Sequence, residues 1–306
     1  LDDTDYAFIG GGSGNTINTQ SDLSGILIGG NNTVFDSSIY SAIIAGQHNG
    51  ISGSSSYSLV GAGQNNYIQT STRSGVFVGR VNRILNSEDS SITSGAFNLI
   101  NPSNQAFLGG GLQNMIQASN FASLVGGRNN RIATNSIAAF LGGGKLNSVS
   151  SQSPFAVMGG GQSNIISGGT GATLVGGFDN RIHLRNGLSG DTNNQAFLGG
   201  GYLNRIINGS DQAALVGGQN NIISGASRAS IVGGYDNGIT ASSYSFVGGG
   251  LLNKIYSRET SPGIANFIGA GQDNTITGNS LSFLGGGYLN RIINVAGTLG
   301  YNVLVG

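Results

Sequence analysis

The sequence predicts an all-β fold: a parallel β-solenoid or β-roll of about 17 coils, two short strands per coil, in a homotrimeric rod. Three observations predict it. A repeat of 16 or 17 residues runs through the chain. Gly supplies 56 of 306 residues, where about 7% is usual. Charged residues make up 8%, where about 25% is usual, and the first strand of the repeat holds none of them.

The anchor of the repeat is an Asn with Gly three residues before it and Ile or Val two residues after it. It recurs at Asn15, Asn32, Asn49, Asn66, Asn82, Asn98, Asn114, Asn130, Asn147, Asn164, Asn180, Asn204, Asn221, Asn237, Asn253, Asn274 and Asn290. Positions are counted below from the anchor, so the Gly is −3 and the aliphatic +2. Spacing departs from 16 or 17 only in a step of 24 before Asn204 and one of 21 before Asn274. The stretch Phe197 to Asn208 returns unchanged at Phe283 to Asn294. Repetition of this kind sets the fold before propensity does.

Each coil is then justified in order. Position −8 is Ala or Ser in every coil but one, where Asn266 stands, and −6 is always aliphatic or Met. Period-2 spacing of small and β-branched residues reads as a strand. The Gly pair or triplet that follows permits a sharp turn. Asn and +2 then share one face of a second strand, with −1 and +1 on the other. Ser, Gly, Asn and Thr close the coil. Gly and β-branched density excludes helices. Sixteen residues enclose no core alone, so the coils stack. Stacking makes interior ladders of −6 and +2, and an amide ladder of the anchors, Asn15, Asn66, Asn114, Asn147, Asn204, Asn253 and Asn290 among them.

The outer face of the first strand carries the oligomer argument. Positions −8 to −3 contain no charged residue, although a strand facing water normally carries some. Where −7 is large, −5 is Gly, as at Phe8, Phe107, Phe140, Phe197, Phe246, Phe267 and Phe283. Where −7 is small, −5 is large, as with Ser123 and Val125 or Ala214 and Val216. Constant volume matters where packing is tight, which predicts burial against other copies. A closed ring of three chains covers the stripe; a monomer whose stripe is covered by residues outside this sequence is the alternative.

The run Ser123-Leu-Val-Gly-Gly-Arg-Asn-Asn-Arg-Ile resembles the head repeat of YadA-like trimeric adhesins, a left-handed parallel β-roll. That repeat has Ser, alternating Val and Ile, Gly, two variable residues, Ser, one variable residue and Ala. Here Asn replaces the second Ser and Ile the Ala, the unit is longer, and Gly often replaces the last aliphatic of the first strand. Phage and viral fibres have similar Gly-rich repeats. The resemblance covers essentially the whole chain and implies a homotrimeric extracellular stalk or head, on a cell or virion surface, used for attachment.

Composition and spacing argue against other chemistry. Thirteen basic and thirteen acidic residues cancel, so no electrostatic footprint for nucleic acid is expected. No apolar run is long enough for a membrane-inserted helix, and no Cys is present for disulfides or thiolate metal sites. The two His, His48 and His183, form no cluster with carboxylates, and Asp179, Asp236 and Asp273 lie in non-adjacent coils. Neither zinc or nucleophilic catalysis nor a glycosidase carboxylate pair is encoded. Gly triplets lack the following helix and Lys of a phosphate loop, and the Asp of calcium-binding rolls is missing. No catalytic residue, metal or cofactor is expected. Arg83, Arg131, Arg181, Arg205, Lys254 and Arg291 at +1 read as a solvated outer face.

The whole chain, 1–306, reads as a single repeat domain and as a fragment of a longer fibre, with two loop insertions, at about 183–195 and 256–264. Insertions in repeats map to loops that leave the coil, often for binding. Arg185, Asp191, Arg258 and Glu259 are the receptor-contact candidates, with Tyr202, Tyr235 and Tyr288 at −2 able to stack on sugars. The expected function is non-enzymatic: a trimeric surface fibre segment that presents loops multivalently to a cell-surface glycan or protein receptor. A structural filament without a receptor is the alternative. An ice-binding solenoid, with Thr at +1 only at Thr16, Thr33 and Thr275, or a phage depolymerase with an inter-chain site, stands further off.

Overall fold

The structure, a computed structural model, describes residues 4–18, 20–183, 193–257, 263–278, 281–293 and 301–306. Every strand pairing among them is parallel and no helix occurs among them, so the fold is a parallel β-solenoid of about 16 turns. The chain divides into two compact units, Leu1–Asn147 and Ser148–Gly306.

Each unit is built from the same coil. The first strand is short and covers −7 and −6, as in Phe107–Leu108 and Phe197–Leu198. A single bridged residue at −2 follows, as between Leu112 and Arg128 or Tyr202 and Gln219. The second strand covers +1 to +3, as in Met115–Gln117 and Arg205–Ile207. Pairing keeps each position on its equivalent in the next coil: Ile116 on Ile132 in the first unit, Ile206 on Ile223 in the second. The register is therefore that of the repeat, and like stacks on like.

The core of each unit is the pair of ladders at −6 and +2. In the first, Leu108, Leu124 and Leu141 face Ile116 and Ile132; in the second, Leu198 and Leu215 face Ile206 and Ile223, all fully buried. Each such side chain contributes about 1.5–3 kcal/mol relative to exposure. Small residues at −8 let the chain turn tightly over this core. Ser fills that position in successive coils of the first unit, and the chain of bonds runs through it. Ser74 Oγ donates to Ser87 O at 2.8 Å and accepts from Ser90 N at 3.2 Å. A parallel Ser ladder at −11 links Ser71, Ser87, Ser103 and Ser119 by bonds of 2.9–3.0 Å from each N–H to the preceding Oγ. Asn266, the exception at −8, fits the same ladder: its N–H donates to Ser245 Oγ and its Nδ2 to Ser242 Oγ, both at 3.0 Å.

Two sequence expectations are corrected here. Position −1 is not in a strand. It is left-handed in every coil, with φ of 50–59° at the sixteen non-Gly residues there, among them Val81 and Leu146. The reason lies in the backbone donors. Strand N–H groups point to the following coil, as Phe107 N to Ala122 O at 3.0 Å, whereas Gln113 N at −1 points back to Ala96 O at 2.9 Å. Reversing one peptide satisfies a corner that would otherwise leave an orphan donor. The second correction concerns the anchors, whose ladder is made mostly with backbone. Asn114 Nδ2 donates to Gly110 O at 2.8 Å in its own coil and to Gly127 O at 2.9 Å in the next. Its Oδ1 accepts from Asn130 N at 2.9 Å. Side-chain amides meet directly only at some steps, such as Asn98 Nδ2 to Asn82 Oδ1 at 3.1 Å.

The −3 Gly is obligatory for two reasons. Its φ runs from 85° to 130° across the coils, and a Cβ at Gly127 would overlap the Gly144 carbonyl and the Asn130 amide. The difference between 16 and 17 residues is also local. Longer coils hold two successive left-handed residues after the second strand, as at Asp36–Ser37 and Thr134–Asn135, and shorter ones hold one, such as Asn86 or Ala118, or none where Pro102 takes the position.

Asn114→Ala removes three bonds and strands Asn130 N, a loss of about 2–4 kcal/mol at roughly 1 kcal/mol per bond with a penalty for the orphan donor. The check is urea unfolding followed by circular dichroism, and an unchanged midpoint refutes the ladder. Val81→Asn acts in the opposite sense. A β-branched residue held at φ 57° carries a cost of roughly 1 kcal/mol that Asn reduces, so the same titration shows a higher midpoint.

Candidate functional site

With the interior filled and internally bonded, whatever the protein recognises must meet the outer faces of the coils. Three are distinguishable: the first strand with its −9 corner, the −2 bridge, and the second strand.

The first-strand face is apolar and open to solvent in the single chain. Exposure is 41% at Phe107, 46% at Val125 and 39% at Phe140 in the first unit, and 38% at Phe197 and 52% at Val216 in the second. Phe8 and Phe283 are exposed and Phe246 and Phe267 half-buried. The last three stack face to face over successive coils, with ring centroids 5.1 and 4.9 Å apart. The adjoining −9 corner, not picked out in the sequence, is polar in some coils, as at Arg73, Asp89, Gln105, Gln195, Gln212 and Arg228, and aromatic in others. The aromatic residues there are Tyr6, Tyr40, Tyr57, Phe121, Phe155 and Tyr244, all exposed and left-handed. Nothing in their residue types announces that geometry, since aromatic residues rarely adopt it.

Volume compensation between −7 and −5 has a cause within one chain. A Cβ at Gly109 or Gly199 would overlap the carbonyl oxygen of Val125 or Val216 in the next coil, and its other neighbour is the ring of Phe107 or Phe197, 3.4 Å away. The −7 ring thus lies over the −5 Gly of its own coil. In the reverse case Phe77 at −5 lies over Gly75 at −7, 3.5 Å from where a Cβ would stand. The alternation records two ways of covering one patch of backbone, and what it leaves for a partner is the exposed apolar area.

The second-strand and −2 faces mix polar and apolar residues. In the second unit Tyr202, Tyr235 and Tyr288 are exposed at −2, and Tyr202 stacks on Phe178 at 5.4 Å. Here +1 cations meet −1 carboxylates, Arg181 with Asp179 at 2.9 Å and Lys254 with Asp236 at 2.8 Å. Burial, with Asp236 nearby, pushes the Tyr256 hydroxyl above its ordinary range. At the −9 corner of the first unit, Arg73 hydrogen-bonds Asp89 at 2.6 Å and holds its carboxyl below the usual value. His48 is exposed at a left-handed corner and His183 ends the strand Arg181–His183. Among the described residues no group of three metal-ligating side chains occurs.

Of the receptor-contact candidates, Arg185, Asp191, Arg258 and Glu259 lie outside the described residues. The boundaries of both insertions are narrower than the spacing suggested. Asn193 is already back in the −11 ladder, fully buried and accepting from Ser210 N at 2.9 Å. Tyr256 belongs to the strand Lys254–Tyr256, and Gly263–Ile264 pairs with Ser242–Ser243. Next to the first insertion, Asn194, Gln195, Asp211, Gln212, Ser227 and Arg228 line a shallow polar depression. Its side chains form a relay: Gln212 Nε2 donates to Gln195 Oε1 at 3.0 Å, Arg228 Nε to Gln212 Oε1 at 2.8 Å, and Arg228 to the Tyr244 hydroxyl.

Gly199→Val places a branched side chain against the Val216 carbonyl and destabilises by about 1–3 kcal/mol as over-packing does. Val216→Gly, one coil on, removes only an exposed side chain and costs less. Thermal melts of the two variants check the order, and equal losses remove the local explanation. A scan against protein-family models matches none, and a search of curated proteins returns no significant relative.

Proposed function

We propose that this chain is a non-enzymatic segment of a homotrimeric, extracellular attachment fibre of the kind its repeat resembles. The observation that carries this reading is the first-strand face: apolar, free of charge from −8 to −3, and exposed along each unit. Contiguous apolar area of this extent is a mark of interaction surfaces. Because every coil repeats the face in register, identical chains set side by side present the same stripe to each other, and a closed three-fold arrangement covers it. Tyr and Phe at the −9 corner extend the contact to its margin. A trimer carries three copies of each insertion. Three weak contacts then act together through effective concentration, on a glycan or protein receptor.

Light scattering tests the assembly. The expected solution mass is three times the 30.9 kDa of one chain, and a single-chain mass overturns it. Phe107→Asp with Phe140→Asp moves the mass to that of one chain while the circular dichroism spectrum stays unchanged. Deleting residues 184–192 tests the attachment: receptor binding disappears and the trimer persists. Binding that survives the deletion favours a filament whose insertions recognise nothing.

A further inference from the structure

We infer that the −2 and +1 face of the first unit binds a linear anionic polysaccharide. The charges of this unit are sorted. Its described carboxylates, Asp5, Asp22, Asp36, Glu88 and Asp89, all stand at +4, −10 or −9. Positions −2, −1, +1 and +3 hold no carboxylate in this unit, yet they carry Arg80, Arg83, Arg128, Arg131 and Lys145, all exposed. None of the five makes an ion pair among the described residues. On the equivalent face of the second unit carboxylates are present, and two of the four +1 cations are neutralised, Arg181 by Asp179 and Lys254 by Asp236, while Arg205 and Arg291 make no ion pair among the described residues.

The arrangement is costly without an anion. Arg128 and Lys145 are bridged in register, which sets two cations on neighbouring strands about 4.8 Å apart, and like charges directly opposite destabilise a sheet. Two of the guanidinium groups are already oriented: Arg80 lies over the Phe97 ring, 5.1 Å from its centroid, and Arg131 Nη2 donates to Gln117 Oε1 at 3.3 Å. Arg80 and Arg128 occupy the −2 ladder three coils apart, about 14 Å at the usual strand spacing. Between them the face is apolar, with Phe97 exposed and Leu99, Leu112 and Met115 half-buried.

That pattern selects the occupant. Two cationic clusters separated by an apolar step suit a chain whose anionic groups are spaced apart and whose intervening rings offer C–H surface. Nucleic acid carries a charge about every 1.7 Å of duplex, far denser than five cations over this length, and the chain as a whole has no net positive charge. Carboxylate and sulfate both satisfy the cations. This face is distinct from the first-strand face, so the inference holds for one chain or three.

Binding of heparin and of alginate to the full chain tests the proposal and separates sulfate from carboxylate recognition, with poly(dT) as the nucleic-acid comparison. At low salt one or both polysaccharides bind, and affinity falls as salt rises. Arg128→Gln with Arg131→Gln and Lys145→Gln weakens binding by about tenfold or more, a loss of roughly 1.4 kcal/mol or more. Arg181→Gln, whose cation is already paired, changes it by less than about twofold, as exposed pairs do. Arg131→Glu alone serves as a second variant if the triple one loses its circular dichroism spectrum. Failure of both polysaccharides to bind, equal affinity for poly(dT), or unchanged binding in the charge variants overturns the inference. The solution mass, read on the same sample, reports separately on the trimer.

Discussion

The contact on which the rest depends is that between each anchor amide and the glycine turn of the following coil. Asn114 reaches forward with both ends of its amide, donating to Gly127 O and accepting from Asn130 N. Its second donor bond closes its own turn at Gly110 O. One buried side chain therefore fixes the shape of one turn and the position of the next. Buried amides are costly unless fully partnered, and each coil is partnered only if its neighbour adopts the same turn. The Gly at −3 follows from this. Any side chain there would occupy the space in which the amide and the next carbonyl meet. The same register stacks like onto like at −6 and +2, so the amide bonds and the aliphatic ladders require one alignment of the coils.

Much of this was legible. The anchor, the −3 Gly, the −6 and +2 aliphatics and the small −8 residue each answer to one physical demand, and each demand leaves a residue type behind. The −1 corner left no such signature. Left-handed backbone is usually announced by Gly or Asn, but here Val81, Phe97 and Leu146 adopt it because the alternative is an unsatisfied N–H. Inter-coil hydrogen bonding overrides local preference, and a sequence reading based on preference places −1 in a strand. The Ser ladder at −11 escaped for a similar reason: Ser in a turn looks ordinary until its N–H and Oγ are seen to link successive coils.

On the outer surface the sequence pointed to the right positions with a cause that the structure replaces. Reciprocal sizes at −7 and −5 look like packing against something outside. Within one chain the ring of Phe107 already covers Gly109, and that of Phe77 covers Gly75. The rule would hold in a monomer. What local geometry in a single chain does not explain is why the covering group is so often a large apolar side chain, aromatic or aliphatic, with no Lys or Glu among them. Local geometry demands a pair of one large and one small residue. It does not demand that both be apolar.

The distribution of charge carries the same reasoning further. On the second-strand and −2 faces a repeat can vary the exposed residue type from coil to coil without disturbing the interior, as Arg128, Phe178, Tyr202 and Gln219 do at −2. Charge on these faces is accordingly not dictated by the fold. Neutral pairs such as Asp236 with Lys254 arise where a carboxylate at −1 reaches a +1 cation. Arg131 has Asn129 at that position, and Arg83 has Val81. The same backbone could have carried Asp there, as at Asp179, Asp236 and Asp273 with φ of 50–53°. The unpaired cations of the first unit are thus not required by the fold, and an external anion is the occupant proposed for them.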